Sequence, residues 1–239
     1  MIDAFEKVPV QIFPSPKEGS AFVASEIATL IKSKAAKNET CVLGLATGST
    51  PIKLYQELVR LHKEEGLSFK NVVTFNLDEY FPIEQDAPQS YWSFMHNHLF
   101  NHIDIDPKNI HIPSGKWPKE DIKKHCADYD AAIIQAGGID LQILGIGKNG
   151  HIGFNEPGSS FHSKTRVIHL DHLTRMANLY EWHDPRQESC GDPCICKSNP
   201  FIGNRQAPAA FHLLSIPTKT VTKKNSIAFF TKRIGVMWA

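Results

Sequence analysis

The stretch CVLGLA, residues 41–46, carries no polar side chain. A strand that is apolar on both faces has to be covered on both, which is the situation of a strand inside a parallel sheet flanked by helices. NVVTFNL (71–77) and IDLQILGIG (139–147) repeat the pattern. The segments between them have apolar residues at helical spacing. In KEGSAFVASEIATLIKSKAAK (17–37) these are Phe22, Ile27, Leu30 and Ile31. PIKLYQELVRLHKEEG (51–66) has Pro51 in its first turn, and KEDIKKHCADYDAAIIQAGG (119–138) ends in two glycines. SYWSFMHNHLF (90–100) also reads as a helix. VQIFPS (10–15) and TRVIHL (165–170) are candidate short strands, and DHLTRMANLYEW (171–182) opens like a capped helix. This alternation predicts an α/β fold: an open, mostly parallel sheet with helices on both faces.

The totals fit one such domain. The chain has 239 residues, 41 % hydrophobic and 21 % charged, with a net charge of +1. That balance gives no electrostatic reason to expect nucleic acid or an anionic membrane as a partner. No apolar run approaches the ~20 residues that span a bilayer. The start, MIDAFEKVPV, lacks the basic-then-apolar order of a signal peptide, so a cytoplasmic location is expected. The five cysteines (Cys41, Cys126, Cys190, Cys194, Cys196) are an odd number in a chain read as unsecreted, against a disulfide framework. The last three, as C-x3-C-x-C, lack the C-x2-C pair usual in zinc fingers and ribbons, and no metal site is expected.

In a doubly wound sheet, ligands sit beyond the carboxyl ends of the strands. Three polar stretches fall there. TGSTP (47–51) leads from a buried strand into a helix, where backbone N–H groups and hydroxyls suit a phosphate; no Gly-Lys-Ser/Thr follows, so it is not a Walker loop. DEY (78–80) places Asp78 and Glu79 directly after a buried strand. Such acids are solvated loop residues, helix caps or, where burial raises their proton affinity, general bases.

The third stretch, GIGKNGHIGFNEPGS (145–159), begins with the G-x-G-x-x-G spelling of a dinucleotide loop. A dinucleotide site needs a helix to follow, and HIGFNEPGS, with its glycines and proline, is a poor one. The loop instead offers His151, Asn155 and Glu156, an imidazole with a carboxylate in reach.

The segments LGLATGSTPIKLYQEL, SFKNVVTFNLDEY, SYWSFMHNHLF and GIGKNGHIGFNEPGSSFHSKTR, in this order, resemble the glucosamine-6-phosphate deaminase/isomerase family over roughly residues 8–179. The FN-x-DEY and GHI-x-FNEP signatures are the specific ones. The resemblance implies a Rossmann-like sheet and conversion of glucosamine 6-phosphate and water to fructose 6-phosphate and ammonia, with no organic cofactor. It implies a sugar-phosphate ligand held by Thr47, Gly48, Ser49 and Thr50. Asp78 falls on the family's proton-transferring base, which works through an enolamine. His151 falls on the ring-opening histidine, supported by Glu156 and by position 149. A homo-oligomer is commonly implied. The fold is shared by sugar-phosphate isomerases and lactonases, and DEY with GHI-x-FNEP favours the deaminase.

The chain also departs from the family. Asn149 stands where most members carry Asp; an amide can bond an imidazole but adds no charge to stabilise imidazolium. Tyr180 stands where a phosphate-contacting arginine is usual. From about 183 neither the family's VP-x-x-AITMG segment nor its G-x-x-KA lysine is found, and the sequence turns aperiodic and rich in proline and cysteine. The boundaries are therefore 1–182 for a sugar-phosphate isomerase/deaminase-like domain and 183–239 for a segment unlike the family, with one strand near SIAFF (226–230). That segment is either a divergent replacement or out-of-frame translation. The abruptness of the switch favours the second, with the C-terminal part of the sheet missing. Impaired activity, or sugar-phosphate binding without catalysis, are the corresponding functional alternatives.

Overall fold

A computed structural model describes residues 11–147, 150–160 and 162–170, together with the backbone of short strands at 194–196, 210–214 and 229–230. α1 (Pro16–Ala35) starts at Ser15, whose side chain accepts the Glu18 N–H, and buries Val23, Ala24, Ile27 and Ile31. β1 (Cys41–Leu45) is buried at every position. α2 (Ile52–Glu65) stops at Gly66, whose left-handed backbone (φ 70°) suits glycine. β2 (Val72–Asn76) is followed by β3 (Asp78–Tyr80), α3 (Tyr91–His98), β4 (Ile110–His111), α4 (Ile122–Gln135), β5 (Leu141–Gly145) and β6 (Arg166–Ile168). β7 (Cys194–Cys196), β8 (Ala210–Leu214) and β9 (Phe229–Phe230) complete the strands among the described residues.

The main sheet has the order β4-β2-β1-β5-β8-β9. β1 runs parallel to β2 on one side and β5 on the other, and only β9 is antiparallel to its neighbour. Leu43, Leu45, Leu141 and Ile143 face a core shared with α1, α2 and α3. On the opposite face Val42 and Phe75 pack against Tyr129 and Ile133 of α4. The expected open, mostly parallel sheet with helices on both faces is thus the observed architecture. The chain extends the sheet outward from β1 through β2 to β4 and then crosses to β5 on the other side. The switch point therefore lies between the carboxyl ends of β1 and β5.

Several expectations change. No strand forms over residues 11–15: Pro14 cannot donate to a ladder, and Ser15 is already the cap of α1. TRVIHL does contain β6, but it belongs to a second, three-stranded sheet β3-β7-β6 that is antiparallel throughout. DEY is not a solvated loop, since Asp78 and Glu79 are 4 % and 2 % exposed in β3. Nor is the main sheet cut short at β5. Residues 210–214, from the segment unlike the family, run parallel to β5 from Leu141↔Ala210 to Gly145↔Leu214. The backbone of AFHLL satisfies groups that a β5 edge would leave open. The expected strand near SIAFF is β9. The helix expected over 171–182, Tyr180 and Cys190 lie outside the described residues, as do Lys148 and Asn149.

Candidate active site

The three polar stretches do converge at the carboxyl ends of adjacent strands. Residues 46–50 follow β1, Asp78 follows β2, and the loop from Ile146 follows β5. The first and last flank the switch point.

The loop after β1 is shaped for an anion. Gly48 has φ 96° and open space where a Cβ would stand. α2 begins after Pro51 with no side-chain cap and no acid in its first turn, so its first N–H groups and positive dipole end face the loop uncompensated. Ser49 is exposed and Thr47, Gly48 and Thr50 are half-buried. Behind the loop, Tyr55 Oη donates to the Ala46 carbonyl and fixes the chain where β1 ends.

Asp78 stands opposite. Burial pushes its carboxyl up to about 8, the neighbouring Glu79 adds to this, and a hydrogen bond from the Phe154 backbone works against it. Gly153 (φ 57°) lets the chain close over it: a Cβ there would lie 3.2 Å from Asp78 Oδ2. The β5 loop is thereby tied to the end of β2, although the two are far apart in sequence.

Within that loop the glycines have distinct tasks. Gly147 N–H donates to the His151 carbonyl at 2.8 Å and Gly150 N–H to the Gly147 carbonyl at 3.0 Å. A Cβ on Gly147 would fall 2.0–2.3 Å from the His151 ring atoms Cε1, Nε2 and Nδ1. The G-x-G-x-x-G spelling therefore makes a tight turn that seats an imidazole, and no helix follows it among the described residues. Burial lowers the proton affinity of His151 and Glu156 partly restores it, so the ring is mainly neutral near pH 7. Asn155 Oδ1 accepts from Arg166 Nη2 at 3.1 Å; the same guanidinium reaches Ser159 Oγ at 3.2 Å and Ser163 Oγ at 3.0 Å, bracing the loop from β6. Among the described residues no cluster of three or more His, Cys, Asp or Glu could hold a metal.

Sequence reasoning put Asp78, His151, Glu156 and the Thr47–Thr50 loop in one place, and the structure brings their backbones together there. It missed the framing residues. Tyr55, Tyr129 and Arg166 act through contacts distant in sequence; Tyr129 Oη, for example, bonds the carbonyls of Asn76 (2.8 Å) and His111 (3.1 Å). Only their position on buried helix faces or beside the loop hinted at them.

Residues 14–170 match the model of a family described as glucosamine-6-phosphate isomerases/6-phosphogluconolactonase. The chain belongs to this family. The match lies within the 8–179 expected from the motifs. The chain is 52 % identical over 148 residues to a glucosamine-6-phosphate deaminase of Lysinibacillus sphaericus, covering 62 % of this chain and 62 % of that protein. It is 45 % identical over 175 residues to a glucosamine-6-phosphate deaminase-like protein of Bacteroides thetaiotaomicron, covering 73 % of this chain and 26 % of that protein. The chain thus spans less than two thirds of either relative's length. Among solved structures, a monomeric glucosamine-6-phosphate deaminase superposes with a TM-score of 0.72 at 41 % identity, covering 78 % of this chain and 74 % of that one. This family member is monomeric, in contrast to the oligomer commonly implied by the resemblance. No helix among the described residues is long and apolar enough to cross a membrane.

Proposed function

We propose that the chain is a glucosamine-6-phosphate deaminase/isomerase, releasing ammonia and forming fructose 6-phosphate. The observation that carries this is Asp78, a buried carboxyl at the switch-point end of β2, raised to about 8 and held against the His151 loop. A general base works best with a proton affinity near the operating pH. The 6-phosphate sits on the Thr47–Thr50 loop at the start of α2. Neutral His151, oriented by Gly147 and backed by Glu156, takes the anomeric hydroxyl proton and passes it to the ring oxygen as the C1–O5 bond breaks and the ring opens. Asp78 then removes the C2 proton, giving an enolamine, and returns it to C1. Water adds to the resulting C2 imine, ammonia leaves, and the ketone remains. Asn149 takes the third place in the relay without contributing charge. The deaminase names of the curated relatives and the DEY and GHI-x-FNEP loops favour this over lactone hydrolysis.

Ammonia release from glucosamine 6-phosphate by the purified full chain tests the reading. Folded protein that binds the sugar phosphate without turnover rejects it in favour of a sugar-phosphate-binding protein, the reading that Asn149 and Tyr180 support. A soluble, cytoplasmic enzyme is the matching expectation. Residues 183–239 are read as a separate segment produced by a shifted frame; absence of an AITMG-like stretch from every frame of the encoding DNA would reject that origin.

A further inference from the structure

Glu79 has no part in the steps assigned above, yet it is buried like Asp78. Its Oε1 accepts the backbone N–H groups of Tyr80 and Tyr91, each at 2.9 Å, and its Oε2 accepts that of Trp92 at 3.1 Å. Tyr91 and Trp92 open α3, and the helix's own cap, Ser90, takes the Ser93 N–H at 2.9 Å. The carboxylate therefore completes the N-terminus of α3 while sitting on a three-residue strand next to Asp78. Among the described residues neither acid has a cation within ion-pair distance; the nearby Lys116 is engaged by Glu84 at 2.7 Å. A cavity of about 340 Å3 lined by Glu79, Gln85, Trp92, His96 and Ser114, but not by Asp78, gives Glu79 its own route for a proton.

We propose that Glu79 is a positioning residue for the Asp78 base: it pins the Asp78 backbone to the start of α3 and places a second buried negative charge beside the Asp78 carboxylate. Three donated N–H groups hold Glu79 down against burial, which raises it only to about 7. Asp78, with one backbone donor and a second acid beside it, is pushed up to about 8. Tyr55 of α2 and Tyr129 of α4 lie within electrostatic reach of Asp78, Tyr91 and His96 of α3 border Glu79, and the His151 loop closes over Asp78 through Gly153. Tyr55 and Tyr129 stay neutral throughout this range, their proton affinities raised by burial, which leaves Glu79 as the acid beside Asp78 whose charge changes within it.

The inference rests on Asp78 being the base, and the test separates the two. Carboxyl 13C titration of the full chain reads both acids whether or not it turns over. In Glu79→Gln the Asp78 midpoint falls by about one pH unit or more, because a like charge is gone, and the acid limb of kcat/KM moves down with it. In the parent chain the Asp78 carboxyl signal also responds to the Glu79 step, so its titration is broader than a single-site curve; that measurement decides the matter if Glu79→Gln does not fold. An unmoved Asp78 midpoint in folded Glu79→Gln, or a single-site Asp78 curve in the parent chain, overturns the proposal. Turnover surviving in Asp78→Asn would instead reject Asp78 as the base and leave the coupling to the titration.

Discussion

The His151 imidazole occupies the space that a side chain on Gly147 would need: a Cβ there falls 2.0 Å from Cε1 and 2.2 Å from Nε2. Gly147→Ala must therefore push the ring out of the site. Misplacing a reacting group by about 1 Å costs on the order of 100-fold in rate. Steady-state kinetics should show that loss in kcat, while the phosphate-induced rise in melting temperature, which depends on the loop after β1, is kept. Unchanged kcat would mean that His151 does not need this seat.

Asp78 stores instability. Its carboxyl sits near 8 when folded against an ordinary 3.8, so the folded state binds more protons than the unfolded one between those values. A raised group contributes full stability below about 4 and loses it as pH rises to about 8. Asp78→Asn should accordingly raise stability by about 2 to 5 kcal/mol at pH 8 and by little at pH 4. Denaturant titrations at the two pH values check this, and the same variant should lose about 100- to 10,000-fold in turnover.

In the proposed role of base Asp78 acts only when ionised, so kcat/KM should climb as pH rises through about 8. The neutral form of His151 persists to lower pH than usual because burial opposes its charging, and it should not set this limb. A pH–rate profile already flat at pH 6 would contradict the raised Asp78.

Gly48→Ala forces a side chain onto a backbone at φ 96°, a strain on the order of 1 kcal/mol or more. The loop should relax away from the start of α2. Inorganic phosphate would then raise the melting temperature less than in the parent chain, with both responses fading as salt screens the anion. An equal phosphate response in the two proteins would remove the loop from the anion site.

Truncation before Ala210 strips β8 from β5 and opens the β5 edge. The shortened chain should melt lower and aggregate more readily, as measured by light scattering during a thermal ramp. If it were as soluble and stable as the full chain, residues 210–214 would contribute nothing to the sheet.

Much of this arrangement could be read in advance. Apolar runs announced β1, β2 and β5 because those strands are covered on both faces, and 3.6-residue spacing announced α1, α2 and α4. Residues 10–15 misled because apolar content alone cannot weigh a proline and a helix cap. AFHLL was hidden inside an aperiodic segment, where a five-residue strand leaves too little pattern to stand out.

The sequence by itself determined that this chain builds a doubly wound sheet with a Thr/Gly/Ser loop, an acid pair and a histidine loop at its strand ends, because strand and helix periodicity fix which residues fall there. Tertiary structure alone decided what those residues can do. The proton affinity of Asp78 depends on the Phe154 N–H, the closeness of Gly153 and the charge on Glu79, and that of Glu79 on the N-terminus of α3. Burial and hydrogen bonding are set by what covers a group, and most of what covers these groups comes from other parts of the chain.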